Sequence, residues 1–427
     1  MIALKTRGLP YLAALALTIL SPVTLKAELR DTLNTGIREY LDELGYFQKA
    51  NRDLGDPRFM FSDSKGLINF GIGGTAKVSA YMGFGGTIND DHFLPSLITI
   101  PTDASTPTYG TYVGNTELHF KARSSWKGHK MISYVKLKSN GSKSINLNQA
   151  YISFDGFSLG LIPSFFMDLE VGVMGSDLAL CNQLDIGHTL FGYTFRFGKG
   201  WEAAAALEAA EFDIPDDREL GLGDNYQPVP DIVAHCKYRW DKGHVQLGAI
   251  FRTLTYWAFD KPDALQNEGL NVSIPGYGFS LSGNIRPNSR LKLSYEFVGG
   301  KGIEHYLGNL SGMNLDVTLL SDKKDGYSVL AAVPVVSGLV AAQYNWTEKM
   351  SSSIILGGSK IFQQNGAVNY NNYDGSLQVS ANFFWYLNDW LYSGIEFNYG
   401  RKWIYADESG YDHGRAFRLS YTMAYCF

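Results

Sequence analysis

Cysteine is nearly absent from this chain. Cys181, Cys236 and Cys426 are the only three in 427 residues, and their number and spacing fit neither a disulfide framework nor a zinc site. Long apolar runs are missing as well: beyond the N-terminal stretch, no segment reaches the roughly 18 continuous apolar residues of a membrane helix. Charge of one sign is also scarce. Lys and Arg total 37 against 42 Asp and Glu, a formal net charge of −5, which marks out no polyelectrolyte partner, and no nucleic acid is expected. The G-x-S-x-G elbow, the H-E-x-x-H helix and the phosphate-binding Walker loop do not occur. Gly71-Ile72-Gly73-Gly74-Thr75-Ala76 partly matches a dinucleotide fingerprint. It lies inside an alternating strand with no helix after it, so it is a chance match. No cofactor, no metal and no enzymatic activity are expected.

What is present is distributed by position. Lys5 and Arg7 precede an apolar core from Leu9 to Leu20, Pro22 breaks the run, and Ala27 offers a small residue for cleavage; residues 1–27 therefore read as a secretory signal peptide. Residues 28–66 read as a short periplasmic amphipathic helix and linker, because Leu29, Leu33, Ile37, Leu41 and Leu44 recur at helical spacing. At the other end, Phe417, Leu419, Tyr421, Met423, Tyr425 and Phe427 alternate with Arg418, Ser420, Thr422, Ala424 and Cys426. A strand places these sets on opposite faces. A closing strand of this kind, ending on Phe427, has the form of the insertion signal of outer-membrane barrels, with the barrel-assembly machinery as the expected partner. High Tyr (26), Phe (25) and Gly (46) suit a barrel with aromatic girdles.

From residue 67 onward, alternating strands are joined by connections that switch between tight and long. The segments 67–84, 111–126, 130–139, 145–155, 157–163, 187–198, 200–212, 231–240, 243–253, 276–286, 290–298, 328–345, 351–361, 375–386, 390–399 and 414–427 read as strands. Tight turns fall at Lys127-Gly128, Asp155-Gly156, Lys199-Gly200 and Asp241-Lys242. The expected fold is all-β: a sixteen-stranded antiparallel transmembrane β-barrel over 67–427, with short periplasmic turns and long external loops, in a Gram-negative outer membrane.

The phrases GKGWEAAAALEAAEFDIP from Gly198, PVPDIVAHCKYRW from Pro228, DKGHVQLGAIFRTL from Asp241, GYGFSLSGNIRP from Gly276 and VGGKGIEHYLGNL from Val298, together with the terminal strand, resemble the DcaP-like porin family. The resemblance implies a sixteen-stranded barrel, a homotrimer, an N-terminal periplasmic coiled coil and passage of small, mostly anionic solutes such as dicarboxylates.

Face assignment gives an independent view of the lumen. A Lys or Arg on the lipid face near the midplane costs about 2–4 kcal/mol, so strand charges belong inside. The inward set is then His119, Lys121, Arg123, Lys136, Lys138, Arg196, His235, Lys237, Arg239, Arg252, Lys292 and Arg418, against Glu117, Glu202, Glu208 and Glu296. Bases outnumber acids, so the pore is expected to favour anions. Segment 164–186, holding Phe165, Phe166, Asp168 and Glu170, is the expected inward constriction loop. Its acids either oppose the basic wall across a gap, or the loop simply packs on the wall through its aromatics. Asp216, Asp217, Glu219 and Asp224 form an acidic external cluster where Ca²⁺ is conceivable. The alternatives to a passive porin are a barrel enzyme of lipase or protease type and a plugged barrel that presents its loops for adhesion.

Overall fold

The computed structural model describes residues 59–63, 68–86, 88, 92–100, 107–139, 144–175, 187–209, 211–212, 223–258, 271–321, 328–363, 367–368, 372–405 and 410–427. The expected signal peptide, the helix at Leu29–Leu44, Cys181 and the side chains of the Asp216–Asp224 cluster lie outside them.

Among the described residues, sixteen strands form one closed antiparallel ring. They are β1 (Ile68–Gly85), β2 (Glu117–Trp126), β3 (His129–Ser139), β4 (Ile145–Phe154), β5 (Phe157–Pro163), β6 (Gly187–Phe197), β7 (Trp201–Ala209) and β8 (Asp231–Trp240). The second half comprises β9 (Gly243–Ala258), β10 (Asn271–Ile285), β11 (Leu291–Lys301), β12 (Pro334–Thr347), β13 (Met350–Ile361), β14 (Tyr373–Asn388), β15 (Leu391–Ile404) and β16 (His413–Cys426). Each strand pairs with its sequence neighbours, and β1 pairs with both β2 and β16, which closes the ring. Period-two alternation does the rest. Val78, Met82 and Phe84 on β1 and Leu419, Tyr421 and Met423 on β16 are exposed outward, whereas Ser79, Ser420 and Thr422 are buried inward. Tight turns gather at one end. In two of them, Lys127-Gly128 and Asp155-Gly156, both residues have positive φ (52° and 84°, 45° and 92°), the two-residue hairpin geometry that matches strand twist.

Several strands run longer or shorter than expected, among them Gly243–Ala258, Asn271–Ile285 and Leu391–Ile404, and three segments depart in kind. The expected strand 111–126 divides into Thr108–Tyr112 and β2. Asn115 between them adopts φ 61°, and the Thr116 hydroxyl accepts from Lys77 N and donates to Lys77 O, both at 3.0 Å, in place of the ladder. The expected strand 328–345 breaks at Val333. Pro334 has no N–H to give to a ladder, and Ser328–Ala332 pairs instead with Val317–Ser321 in a separate small sheet. Part of the expected 28–66 segment is also a strand: Phe59–Ser62 pairs antiparallel with Ile72–Asn69.

That last strand solves a closure problem. β16 ends opposite Gly74, where Gly74 N donates to Phe427 O (2.8 Å) and Phe427 N to Gly74 O (2.9 Å). Below this point the edge of β1 would be open, and Phe59–Ser62 covers it. A Cβ on Gly74 would lie 2.5 Å from Glu117 O and 2.8 Å from the Phe427 ring. Gly74→Val is therefore expected to reduce the folded fraction, read as loss of the compact, heat-sensitive band in cold SDS gels. An unaltered folded fraction would show that this seam tolerates a side chain.

Candidate functional site: the lumen and its inward segments

The loop after β5 turns into the barrel and runs along the inner wall. At its start, Ser164 Oγ and Phe165 N both donate to Glu208 Oε1 on β7 (3.0 and 2.9 Å), and His235 Nδ1 donates to Phe165 O (2.7 Å). Its two acids then meet a set of bases. Asp168 accepts from Lys237 Nζ (3.2 Å), His244 Nε2 (2.6 Å) and Ser282 Oγ (2.8 Å). Glu170 accepts from Lys237 Nζ (2.9 Å) and, bidentately, from the Arg239 guanidinium (2.5 and 2.6 Å). Further along, the Lys292 ammonium donates to Gly172 O, Gln343 Oε1 accepts from Met174 N (3.2 Å), and Asn382 Nδ2 donates to Met174 O (2.8 Å). One strap thus touches successive strands from β7 to β14.

The electrostatics of the strap follow from this geometry. Burial works against ionisation of Asp168, but the His244 hydrogen bond and the Lys237 charge outweigh it and hold the carboxyl below the usual range. Glu170 is likewise opposed by burial and held low by Arg239 and Lys237. Asp168, Glu170 and His244 stand close enough to hold a metal ion. Lys237 and Arg239 already supply positive charge to the same carboxylates, so the arrangement is an ion-pair clamp rather than a metal centre.

A second segment enters after β11. Gly302 takes φ 65° and turns Ile303, Tyr306, Leu307 and Leu310 inward. They bury against Phe166, Val233, Ile250, Val298 and Val335, an apolar core inside the ring. Its polar fastening is Arg252, fully buried, which donates to Asp231 Oδ2 (2.8 Å), Gly302 O (2.9 Å), Glu211 O (2.8 Å) and Asp316 Oδ1 (3.3 Å). The Tyr306 hydroxyl donates to Asp231 Oδ2 (2.8 Å). Burial, then the Glu208 and Asp231 charges, push that phenol well up, so it remains a donor. A third segment, around Phe93 to Ile98, packs on Ala416.

The facing wall is different. On β1 to β3 the inward residues include Lys77, His119, Lys121, Arg123, Lys136 and Lys138, with Glu117 as the acid among them. Lys136 Nζ lies 3.2 Å from Glu117 Oε2, with both side chains partly exposed (13% and 19%). Tyr134 on β3 and Tyr151 on β4 share this face, with ring centroids 5.4 Å apart.

The inward bases expected from alternation thus have three fates. His119, Lys121, Arg123, Lys136 and Lys138 stand together on the β2–β3 wall. Lys237, Arg239 and Lys292 do not border an open gap, because the strap lies directly on them; for them and for Asp168 and Glu170, the expectation of charges opposed across a constriction is corrected. Arg252 is likewise corrected: it is sealed beneath the 302–316 segment. Arg418 is buried between the Tyr81 ring (4.2 Å) and the Phe93 ring (5.5 Å), and His235 is taken up by Phe165 O. Arg196 sits by the Gly198–Gly200 turn, 75% exposed and 2.8 Å from Glu202, so it belongs to the mouth rather than the narrowest part. Phe165 and Phe166 do pack as strap aromatics, Phe166 edge-on to Tyr306 at 6.0 Å. Lys77 and His244, both inward by the same alternation, were not singled out by sequence. Cys236 and Cys426 are unbridged.

A closed sixteen-stranded barrel with an inward strap defines a class of fold, that of the porins. The family model described as porin subfamily matches residues 66–267. The fold is similar to the outer membrane channel DcaP of Acinetobacter baumannii, with TM-score 0.69, 13% identity, and 86% of this chain and 99% of that chain covered. It is also similar to the anion-selective porin from Comamonas acidovorans (TM-score 0.53, 12% identity, 84% and 100% covered). A third likeness is to OmpF of Salmonella typhi in complex with daunomycin (0.51, 10%, 86% and 100%). No curated protein sequence matches the chain. Strand phrases, the family model over 66–267 and the fold all point to an outer-membrane channel of porin type, similar to DcaP.

Removing one partner of a buried pair leaves the other charge uncompensated at about 3–5 kcal/mol. Glu170→Ala is therefore expected to free the strap, lowering the denaturation midpoint and giving flickering conductance steps in planar bilayers. Because both strap carboxyls are held low, their contribution is full above the ordinary carboxylate range and is lost only as pH falls through the depressed values. The conductance step should accordingly stay constant as pH is lowered from 7 to about 4, near the unperturbed carboxylate value. A step change already at pH 5 would contradict this.

Proposed function

We propose that this chain is a passive porin that favours small anions, carboxylates among them, with size and charge of the lumen as its mechanism. One observation carries the reading: the strap acids are bound to Lys237, Arg239 and His244 on β8 and β9, while the inward face of β1–β3 holds Lys77, Lys121, Arg123, Lys136 and Lys138 against Glu117. The acids that a constriction strap would otherwise present to the solute are thereby compensated on the far wall. A basic stripe in a narrow channel of low dielectric lowers the energy of an anion and raises that of a cation. The DcaP-like resemblance supports dicarboxylates as members of the solute class. The similarly folded porin from Comamonas acidovorans is anion-selective, which agrees with the sign.

The working form on this reading is a homotrimer in the outer membrane, exported by a signal peptide over residues 1–27 and with its N-terminal segment in the periplasm. Reversal potential across a KCl gradient tests the selectivity, and a trimer is expected in native mass measurement. Lys121→Glu with Arg123→Glu and Lys136→Glu is expected to reverse an anion-biased potential, whereas a wild-type channel biased to cations would refute the proposal.

A further inference from the structure

The β2–β4 wall carries more than charge. Cross-strand register places Lys121 opposite Tyr134, and Tyr134 opposite Tyr151. The next inward row holds His119 opposite Lys136, and Lys136 opposite Gln149. The three rings form a ladder across these strands: His119 lies 6.0 Å from Tyr134 at 28°, and Tyr134 5.4 Å from Tyr151 at 40°. On the other flank, β1 presents Gly71 opposite Lys121 and Gly73 opposite His119. The wall beside the ladder therefore carries no side chain in either row.

Two features separate this ladder from ordinary packing. Tyr134 and Tyr151 are only partly buried, although they face the lumen and not lipid, so their rings border the solute path. His119 behind them is 4% exposed, and its Nδ1 has no hydrogen-bond partner among the described residues. Its ring backs the ladder, stacked on Tyr134.

We infer that this ladder is a transit site for aromatic carboxylates. It rests on the anion-favouring reading above and narrows it. The solute's ring lies against Tyr134 and Tyr151 in an offset or edge arrangement, and its carboxylate is drawn to the Lys121 ammonium in the adjacent position of the same row. Lys136, held by Glu117, supports the positive potential of the next row. Aliphatic carboxylates meet the same ammonium without the ring contact. Binding must remain weak for solute to leave, and a ring contact of the usual strength alters affinity by only about two- to tenfold.

The test uses the full-length protein in planar bilayers, with benzoate and cyclohexanecarboxylate as probes of equal charge and similar size. Benzoate is expected to interrupt the wild-type current at about a two- to tenfold lower concentration. In Tyr134→Leu/Tyr151→Leu this preference should disappear, and in Tyr134→Phe/Tyr151→Phe, which keeps the rings, it should persist. Equal block of the wild type by the two acids would overturn the inference, as would a preference surviving in the leucine variant. The wild-type reversal potential in KCl is read separately. A cation bias there overturns the underlying anion reading, whereas an anion bias with equal block overturns the aromatic site alone.

Discussion

Everything in this molecule depends on one constraint: across a lipid layer the backbone has no water to bond to, so every N–H and C=O must find a partner in the protein. A sheet meets that demand only by closing on itself. Here closure occurs where β1 receives β16, and its last hydrogen bonds are the reciprocal pair between Gly74 and Phe427. The short strand Phe59–Ser62 extends the same logic below the point where β16 stops. Once the ring is shut, alternation has only two destinations, lipid or lumen. The charges collect inside because the alternative is more expensive.

Closure at this size creates an interior too large for strand side chains alone to fill, and the chain fills it with its own loops. The strap at 164–175 is held by charge, through Asp168 and Glu170, while the 302–316 segment is held by an apolar core fastened around Arg252. Both lie against the β7–β14 side of the ring. Their placement decides which inward bases remain in the solute path, and this is why the β1–β3 wall, rather than the sum of all inward charge, governs selectivity in the proposed mechanism.

Much of this was legible in the chain before its structure. The tight turns and the strands between them follow from local rules of alternation and turn chemistry, and the inward orientation of Lys121, Lys237 and Arg252 comes from the same period of two. Their fates do not. Asp168 and Lys237 are 69 residues apart in sequence, and nothing in either neighbourhood signals the other. Ile303, Tyr306, Leu307 and Leu310 recur at helical spacing, a signal of a buried face. Inside what reads as an external link, that spacing gives no indication that the face buries within the barrel.

The sequence by itself determined the class of fold, the order of the strands, the face of each side chain and the excess of inward bases. These are consequences of neighbours one and two residues apart. Only the tertiary structure decided which bases are neutralised by the strap, that Arg252 and Arg418 are sealed away from solute, and that Tyr134 and Tyr151 stand in register beside Lys121. Each of these depends on which distant segment a strand meets, and so on a ring that exists only when the first strand bonds to the last.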